Sequence, residues 1–242
     1  MKNLLLITLL FVQTLWTVNA QYYIKGNGHI VTKERTIEGF NTIKVSGSFN
    51  VYLSPELKKK LTLTSDENII EAIVTEVKEG VLIIRNKKGK SLRPSDRNRI
   101  QITVPQTSLK GAFLSGSGKI YSDNTFTTGK FKSHLSGSGK IDLQLKADHI
   151  ETVLSGSGKI VLTGHTNRLK VKLSGSGVIR LNDLEAQQGE ISLSGSGNAY
   201  VHCRDELKAV VSGSGRIRYY GEPKEKLHTK VNGSGSIRKA IE

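Results

Sequence analysis

Residues 169–181 read Leu-Lys-Val-Lys-Leu-Ser-Gly-Ser-Gly-Val-Ile-Arg-Leu, and this stretch decides the fold. Its apolar residues and its two glycines occupy alternate positions, and mostly polar residues stand between them. Because successive side chains of a β-strand point to opposite faces, the alternation predicts strands with one buried and one exposed side. Apolar residues do not recur at every third and fourth position, as an amphipathic helix requires.

The Ser-Gly-Ser-Gly tetrad inside this stretch recurs along the chain at intervals of 21, 19, 19, 20, 18 and 20 residues. A constant period near twenty is typical of a solenoid, in which each coil buries its apolar side against its neighbours. Propeller blades need about 40 residues each, and hairpin repeats favour Asn-Gly or Asp-Gly turns. The repeat therefore predicts an all-β parallel β-helix. The tetrads begin at Ser115, Ser136, Ser155, Ser174, Ser194, Ser212 and Asn232.

The N-terminal part of the chain carries weaker copies of the signature. Residues 26–30 and 45–51 resemble the tetrad, and they extend the coil towards residue 24. Between them and the first full tetrad, strands are expected near residues 61–64, 81–84 and 100–104, and Ser65 is expected to cap a short helix over residues 66–73. We expect one β-helical domain over residues 21–242, with degenerate coils and an irregular capping section over 21–105 and regular coils over 106–242.

Residues 1–20 have the layout of a secretory signal peptide. Lys2 precedes an apolar run over residues 4–16, and Val-Asn-Ala at 18–20 forms a small-residue cleavage site. This pattern predicts an exported protein located in the periplasm, on the outer cell surface or in the medium. Cys203 is the one cysteine, which excludes an intramolecular disulfide, and its inward parity predicts a buried structural thiol.

The chain has a formal net charge of +15, which favours anionic partners. The position after each tetrad holds Lys119, Lys140 and Lys159 in three consecutive coils, so stacking would align them in a basic column. An alternative interpretation is a solvated lysine face that discourages aggregation. Four arginines extend the predicted basic outer face, with Arg216 in the same position and the others two residues later: Arg180, Arg216, Arg218 and Arg238.

A second basic cluster lies in the N-terminal part, where Gly89 and Pro94 predict a loop. Such a loop suits acidic polysaccharide or lipid phosphate, or it forms an exposed tip without a ligand. Nucleic acid is a poor candidate partner, because the basic residues lack interleaved aromatic residues and the signal directs export. The residues of the predicted basic loop are Lys87, Lys88, Lys90, Arg93, Arg97 and Arg99.

The sequence predicts no catalytic residue, no metal site and no cofactor. The candidate acids stand at different offsets from their tetrads, so they do not form the paired carboxylates of a glycosidase. The histidines are scattered, without the spacing of a metal site. The acids are Asp123, Asp142, Asp148, Asp183 and Asp205, and the histidines are His29, His134, His149, His165, His202 and His228.

Several ordered motifs together resemble the autotransporter adhesin head domain, also called the GIN domain. They are residues 38–53, Ser65-Asp-Glu-Asn68, Ile100-Gln-Ile-Thr-Val-Pro105 and the tetrad series, and the resemblance covers about residues 36–238. It implies an exported protein of Gram-negative bacteria folded as a right-handed parallel β-helix, and it supplies no catalytic residues.

The function expected from these features is a non-enzymatic binding or adhesion module of the cell envelope. It would recognise an anionic glycan or surface polymer through its serines and basic outer face. One alternative is an envelope enzyme acting on polysaccharide, and another is a structural scaffold that forms homo-oligomers through its coil ends. The C-terminal coil edge is expected to be protected by a partner subunit or by its own charges.

Overall fold

The computed structural model describes residues 22–56, 59–96, 100–106 and 108–240. The predicted signal peptide at residues 1–20 lies outside this part of the chain, as do Arg97 and Arg99 of the basic cluster. The described residues contain no helix that is long and apolar enough to cross a membrane.

The described part of the chain is built almost wholly of β-strands, with one short helix, α1 (Glu67–Glu71). The strands are β1 (Tyr22–Lys25), β2 (Ile30–Thr36), β3 (Thr42–Ser46), β4 (Asn50–Ser54), β5 (Lys60–Asp66), β6 (Ile73–Lys78), β7 (Val81–Asn86), β8 (Lys90–Arg93), β9 (Gln101–Pro105), β10 (Gly111–Gly116), β11 (Lys119–Gly137), β12 (Lys140–Gly156), β13 (Lys159–Gly175), β14 (Val178–Gly195), β15 (Asn198–Gly213), β16 (Arg216–Tyr220), β17 (Lys226–Asn232) and β18 (Ser236–Lys239).

The long strands β11 to β15 stack in parallel, each one a coil above the last, and the predicted parallel β-helix is confirmed with about six turns of about 20 residues. Within each coil we call the segment entering the tetrad the leading strand, the segment after it the trailing strand, and the remainder the return segment. Tetrads lie in vertical register, with Ser136 beside Ser155 and Ser155 beside Ser174.

The tetrad is a corner, and its glycines are required by both backbone conformation and close contact. Gly156 has a φ of 116°, and a Cβ atom there would lie 2.7 Å from the carbonyl oxygen of Gly137 in the preceding coil. That oxygen accepts hydrogen bonds from the N–H groups of Ser157 and Gly158. Sequence parity left two roles open for the paired glycines, a sharp bend or a close backbone approach, and the structure shows both.

The inward positions of the coils form one continuous apolar core, as the alternation predicts. Ile141, Ile160 and Ile179 stack above one another and are fully buried. Cys203 is also buried, which confirms the predicted structural thiol, and burial raises its pKa to about 12. Its sulfur fills the space beside Gly189, where a Cβ atom would lie 2.5 Å from Sγ.

The N-terminal coils are stacked in an order that differs from their order in sequence. Strands β3 and β4 lie between β10 and β11 on one side and β7 and β9 on the other. Residues 42–54 therefore form the second coil of the stack, and residues 81–105 form the first. The weak signature at residues 45–51 is thus a true coil, with Phe49 buried where later coils have their second glycine.

Antiparallel strands cap this end of the stack. Strand β6 pairs with β7, strand β5 pairs with β9, and β2 pairs with β5, all antiparallel. The expectation that residues 26–30 begin a coil is therefore wrong, because β2 belongs to the antiparallel cap. Gly26 instead packs against a carboxylate, where a Cβ atom would lie 2.4 Å from Asp66.

The carboxylate of Asp66 connects segments of the N-terminal cap that are distant in sequence. Its buried carboxylate accepts hydrogen bonds from the backbone N–H groups of Gly28 at 2.7 Å and Ser95 at 3.0 Å. Burial alone would raise the pKa of Asp66, but hydrogen bonds from Ser95 and Gly28 outweigh it and hold the pKa below its usual range. Asp66 also occupies the N-cap of α1, so the predicted capping role of Ser65 is wrong, and the predicted helix is shorter than expected.

The C-terminal end of the stack lacks such a cap within the described chain. Strand β17 pairs with β15 on one side, and no described strand lies on its other side. All of its residues are exposed. The two ends of the solenoid are therefore closed to different degrees.

Candidate functional site

The outward residues of the trailing strands form two vertical columns, which together we call the trailing face. The first column contains the predicted lysines and Arg216, and the second contains the remaining predicted arginines. The register gives the first column as Asn50, Lys119, Lys140, Lys159, Val178, Asn198, Arg216 and Ser236, and the second as Tyr52, Tyr121, Asp142, Val161, Arg180, Tyr200, Arg218 and Arg238. Eight rungs spaced about 4.8 Å apart make a face roughly 34 Å long.

The three lysines of the first column stand in adjacent rungs with like charge above like charge. Lys140 is paired with Asp142 at 2.5 Å, and the ammonium of Lys119 lies 3.9 Å from the ring centroid of Tyr121. Desolvation and the neighbouring cations Arg180 and Lys140 lower the pKa of Lys159. The protonated form of Lys159 is therefore disfavoured here, and an anion placed beside it would relieve this cost.

Tyrosines interrupt the arginines of the second column. The rings of Tyr52 and Tyr121 are 5.2 Å apart, and the guanidinium of Arg180 lies 5.8 Å from the ring centroid of Tyr200. Desolvation and the nearby carboxylate of Asp123 raise the pKa of Tyr52 above its ordinary value, so its hydroxyl stays protonated at neutral pH. The face thus offers apolar rings and hydroxyl groups beside its cations.

These tyrosines are not among the site residues predicted from the sequence, and the expectation that no aromatic residues are interleaved with the basic ones is wrong for this face. Tyr121 and Tyr200 are separated by 79 residues in sequence. Each nevertheless lies two residues after the first-column residue of its own coil. Tabulating the third residue after each tetrad would have shown the tyrosines, because that position supplies the whole second column. The tyrosine pattern is therefore present in the sequence, but it is distributed over several repeats.

The leading strands also carry a charged column, but in it positive and negative side chains alternate. Lys132 pairs with Glu151 at 3.2 Å, and Lys170 pairs with Glu190 at 3.3 Å. Lysine and glutamate alternate from rung to rung, so each positive charge has a negative neighbour. The register gives this column as Lys132, Glu151, Lys170, Glu190, Lys208 and His228.

Serines separate the two charged faces along the tetrad corner. The first serine of each tetrad stacks on the next from Ser46 to Ser212, and the column continues to Arg85 at one end and to Asn232 at the other. Ser155, Ser174 and Ser194 are exposed. Their hydroxyl groups can donate and accept hydrogen bonds next to the first trailing column.

The predicted basic loop is only partly a loop. Lys87 and Lys88 lie at the turn between β7 and β8, but Lys90 and Arg93 belong to β8. The reason is long-range pairing, because β8 forms a two-stranded parallel sheet with β1, 68 residues away in sequence. Local composition could not reveal that partner.

This small sheet borders a recess of about 690 Å³ at the N-terminal end of the trailing face. Tyr23, Arg93, Ser48 and Asn50 line the recess, and Asn50 belongs to the first trailing column. The guanidinium of Arg93 lies 4.1 Å from the ring centroid of Tyr23. The recess therefore continues the basic and aromatic character of the face.

The candidate acids are not gathered into one site in the register. Asp142 lies on the trailing face in an ion pair, whereas Asp148 accepts a hydrogen bond from Asn167 at 3.3 Å in the return segment. Among the residues described by the structure, no cluster of three or more histidines, cysteines or acidic residues is arranged to hold a metal ion.

Comparison with known proteins gives a family and several solved relatives. The family model described as putative auto-transporter adhesin, head GIN domain, matches residues 39–223. A putative adhesin from Bacteroides fragilis is 25% identical with a TM-score of 0.80, and the match covers 90% of this chain and 100% of that one. A putative lipid binding protein from Parabacteroides distasonis is 29% identical with a TM-score of 0.75, and the match covers 91% and 100% of the two chains.

A third solved protein, a putative adhesin from Parabacteroides merdae, is 24% identical with a TM-score of 0.70 over 90% of this chain and 99% of that one, and it shows likeness of fold alone. A search of curated proteins finds no match. Since the family model spans well over half of the 242 residues, the chain belongs to the auto-transporter adhesin head GIN domain family.

Proposed function

We propose that this protein is an exported, non-enzymatic adhesion module that binds an acidic glycan along its trailing face. The adhesin names of its family and of its solved relatives support an adhesion-like binding module. The choice of an acidic polymer is supported by the length and charge of the face. A polymer running parallel to the solenoid axis would meet a new rung about every 4.8 Å.

The observation that carries this proposal is the contrast between the two lysine columns. In the column of the leading strands, Glu151 and Glu190 pair with neighbouring lysines. The repulsion between those lysines is thus offset by carboxylates of the same chain. The trailing column places Lys119, Lys140 and Lys159 in succession, with Asp142 as the one carboxylate in the two trailing columns. If the lysines served solubility alone, the balanced arrangement would serve equally well. A column in which Asp142 pairs with Lys140 but leaves an excess of positive charge is better suited to an external anion.

The aromatic residues favour a glycan over a simple polyanion. Tyr52, Tyr121 and Tyr200 present apolar ring surface with a hydroxyl at the edge, which suits a ligand having both apolar faces and polar groups. The recess at Tyr23 and Arg93 would receive the end of such a chain or a bulky substituent. The exposed serines of the tetrad corner would contribute neutral hydrogen bonds.

The first test measures binding of the protein to immobilised acidic and neutral polysaccharides at low and high salt. We expect saturable binding to the acidic polymers that weakens as salt increases. Replacing Lys119, Lys140 and Lys159 together by Gln should lower the affinity about tenfold, since each exposed charge contact contributes roughly 0.5 kcal/mol. The matched control replaces Lys110, Lys130 and Lys146, which lie off the trailing face, and removes the same charge.

Four outcomes would count against the proposal. Equal losses in the two triple variants would show a general charge effect instead of a site. Stronger binding to phosphatidylglycerol vesicles would favour a lipid ligand, the class named for the Parabacteroides distasonis relative. Stronger binding to a single-stranded oligonucleotide would favour nucleic acid, and cleavage of a polysaccharide would favour the enzyme alternative. Export is tested separately by cell fractionation with surface proteolysis.

A further inference from the structure

The last turn of the solenoid, residues 221–239, leaves apolar side chains uncovered. Leu227 is 48% exposed and Val231 is 41% exposed, although each occupies a column whose residues are buried in earlier coils. Leu207 and Val211, their neighbours one rung below, are 1% and 0% exposed. We call this surface the C-terminal rim. Its outer edge also presents backbone N–H and C=O groups of β17 that no described strand pairs.

We propose that the C-terminal rim binds a second copy of this chain about a two-fold axis that passes through Thr229. The argument begins with the sequence of β17, Lys-Leu-His-Thr-Lys-Val-Asn. Two copies paired antiparallel about Thr229 place Leu227 opposite the partner's Val231, and the same contact is repeated on the other side of the axis. The core of one solenoid then continues into the other, and both edges of β17 become hydrogen-bonded.

The rest of the rim fits the same axis. A two-fold axis through the leading strand exchanges the trailing and return segments, so β18 of one copy faces residues 221–225 of the other. Strand β18 carries Arg238 and Lys239, and the facing segment carries Glu222 and Glu225 together with Lys224. Glu222 already forms an ion pair with Lys239 of its own chain at 2.9 Å, so the opposite charges of Arg238 and Glu225 are the ones that favour this pairing.

The helical rise of the last turn also agrees with the axis. Residues 221–225 come before β17 and β18 comes after it, so one lies lower and the other higher along the solenoid axis. The two-fold operation sets the high segment of each copy against the low segment of the other. Contact of the rim with the N-terminal end of another copy would instead make open filaments, and that end is already covered by antiparallel strands.

Sedimentation of the full chain tests the proposal. We expect a dimer in the wild-type protein and a dissociation constant raised about a hundredfold or more in the double variant Leu227→Asp, Val231→Asp. Because both positions are half-exposed in a single copy, the variant should keep its circular dichroism spectrum. Tyr23→Asp is the control, since Tyr23 is equally exposed at the other end of the solenoid and should leave the dimer intact.

Cysteine cross-linking tests the register independently. Thr229→Cys should form a disulfide between copies under mild oxidation, because residues paired across antiparallel strands have Cα atoms about 4.5–5.5 Å apart, within disulfide range. Lys230→Cys should not, since the two copies of residue 230 would be about 8 Å apart. The native Cys203 is buried and should remain unreactive.

A monomeric wild-type protein at high concentration would overturn the proposal, and so would a dimer that survives the double substitution. Cross-linking of the Lys230→Cys variant in preference to Thr229→Cys would overturn the register. The glycan proposal is tested separately, because the double substitution changes no residue of the two trailing columns and the lysine substitutions change no residue of the rim. Arg238 belongs to both surfaces and is altered in neither experiment.

Discussion

The regular coils and the N-terminal section enclose one apolar interior by different means. In the coils, every tetrad repeats the same contacts with the coil below, so Gly156 meets Gly137 as Gly175 meets Gly156. In the N-terminal section each contact occurs once, and segments distant in sequence meet at the carboxylate of Asp66. Repeated contacts between neighbouring coils are therefore sufficient to build the stack, whereas its N-terminal end is closed by long-range contacts that occur only once.

Alanine substitution of a tetrad glycine should give the largest difference in stability between the two regions. Gly156→Ala combines a positive φ with a 2.7 Å approach to a backbone oxygen, so we expect a loss of about 2–5 kcal/mol in the free energy of unfolding. Gly28→Ala in the N-terminal section shares the positive φ but meets nothing within 4 Å, and its expected cost is about 1 kcal/mol.

Urea denaturation measures both variants, and the reactivity of the Cys203 thiol reports when the coils open. Equal losses of unfolding free energy in the two variants would mean that backbone strain alone sets the cost of the substitution, and that the contact between coils contributes nothing.

The buried carboxylate should give the next largest effect. Asp66→Asn weakens the hydrogen bonds from Gly28 and Ser95, and we expect a loss of about 1–2 kcal/mol at neutral pH. The pKa of Asp66 is lowered in the folded chain, so its stabilisation is present above the unfolded pKa of about 3.9 and is lost as pH falls through the folded pKa.

Thermal melting at neutral and acidic pH checks this expectation. The difference between wild type and Asp66→Asn should shrink on acidification. Asp148→Asn, an exposed change in the coils, serves as control, and a constant difference across pH would contradict the role given to Asp66.

Substitution of surface lysines should change the free energy of unfolding least. The sign of the change should differ between the two regions. Lys60→Gln in the N-terminal section removes an exposed ion pair with Glu34 at 2.9 Å and should cost about 0.5 kcal/mol or less. Lys159→Gln in the coils removes a cation from a like-charged column and should leave stability unchanged or raise it by a similar amount.

The pH dependence of Lys159 has a definite sign. Its folded pKa is lowered, so the protonated side chain destabilises the fold, and stability should rise as pH increases through the folded pKa towards about 10.4. Chemical denaturation across alkaline pH should show this rise in wild type and a smaller one in Lys159→Gln. An identical rise in stability in both proteins would show that Lys159 does not cause this pH dependence.

Much of the site could be predicted from sequence because the coil repeats. Lys119, Lys140 and Lys159 occupy one position of the repeat, so their stacking followed once the period was known. The recess at Tyr23 and Arg93 could not be predicted, because it depends on β1 meeting β8. The loop interpretation of Lys90 and Arg93 was wrong for the same reason.

The coil period, the inward and outward parity and the columns all follow from the amino-acid sequence, since each depends on short-range alternation repeated many times. Three features emerge only in the folded chain: residues 42–54 lie between residues 81–105 and the first regular coil, antiparallel strands close one end, and no described strand covers the outer edge of β17 at the other. These features depend on pairings between segments that carry no shared pattern. Backbone hydrogen bonds, which are indifferent to side-chain identity, make those pairings, so composition and periodicity do not reveal them.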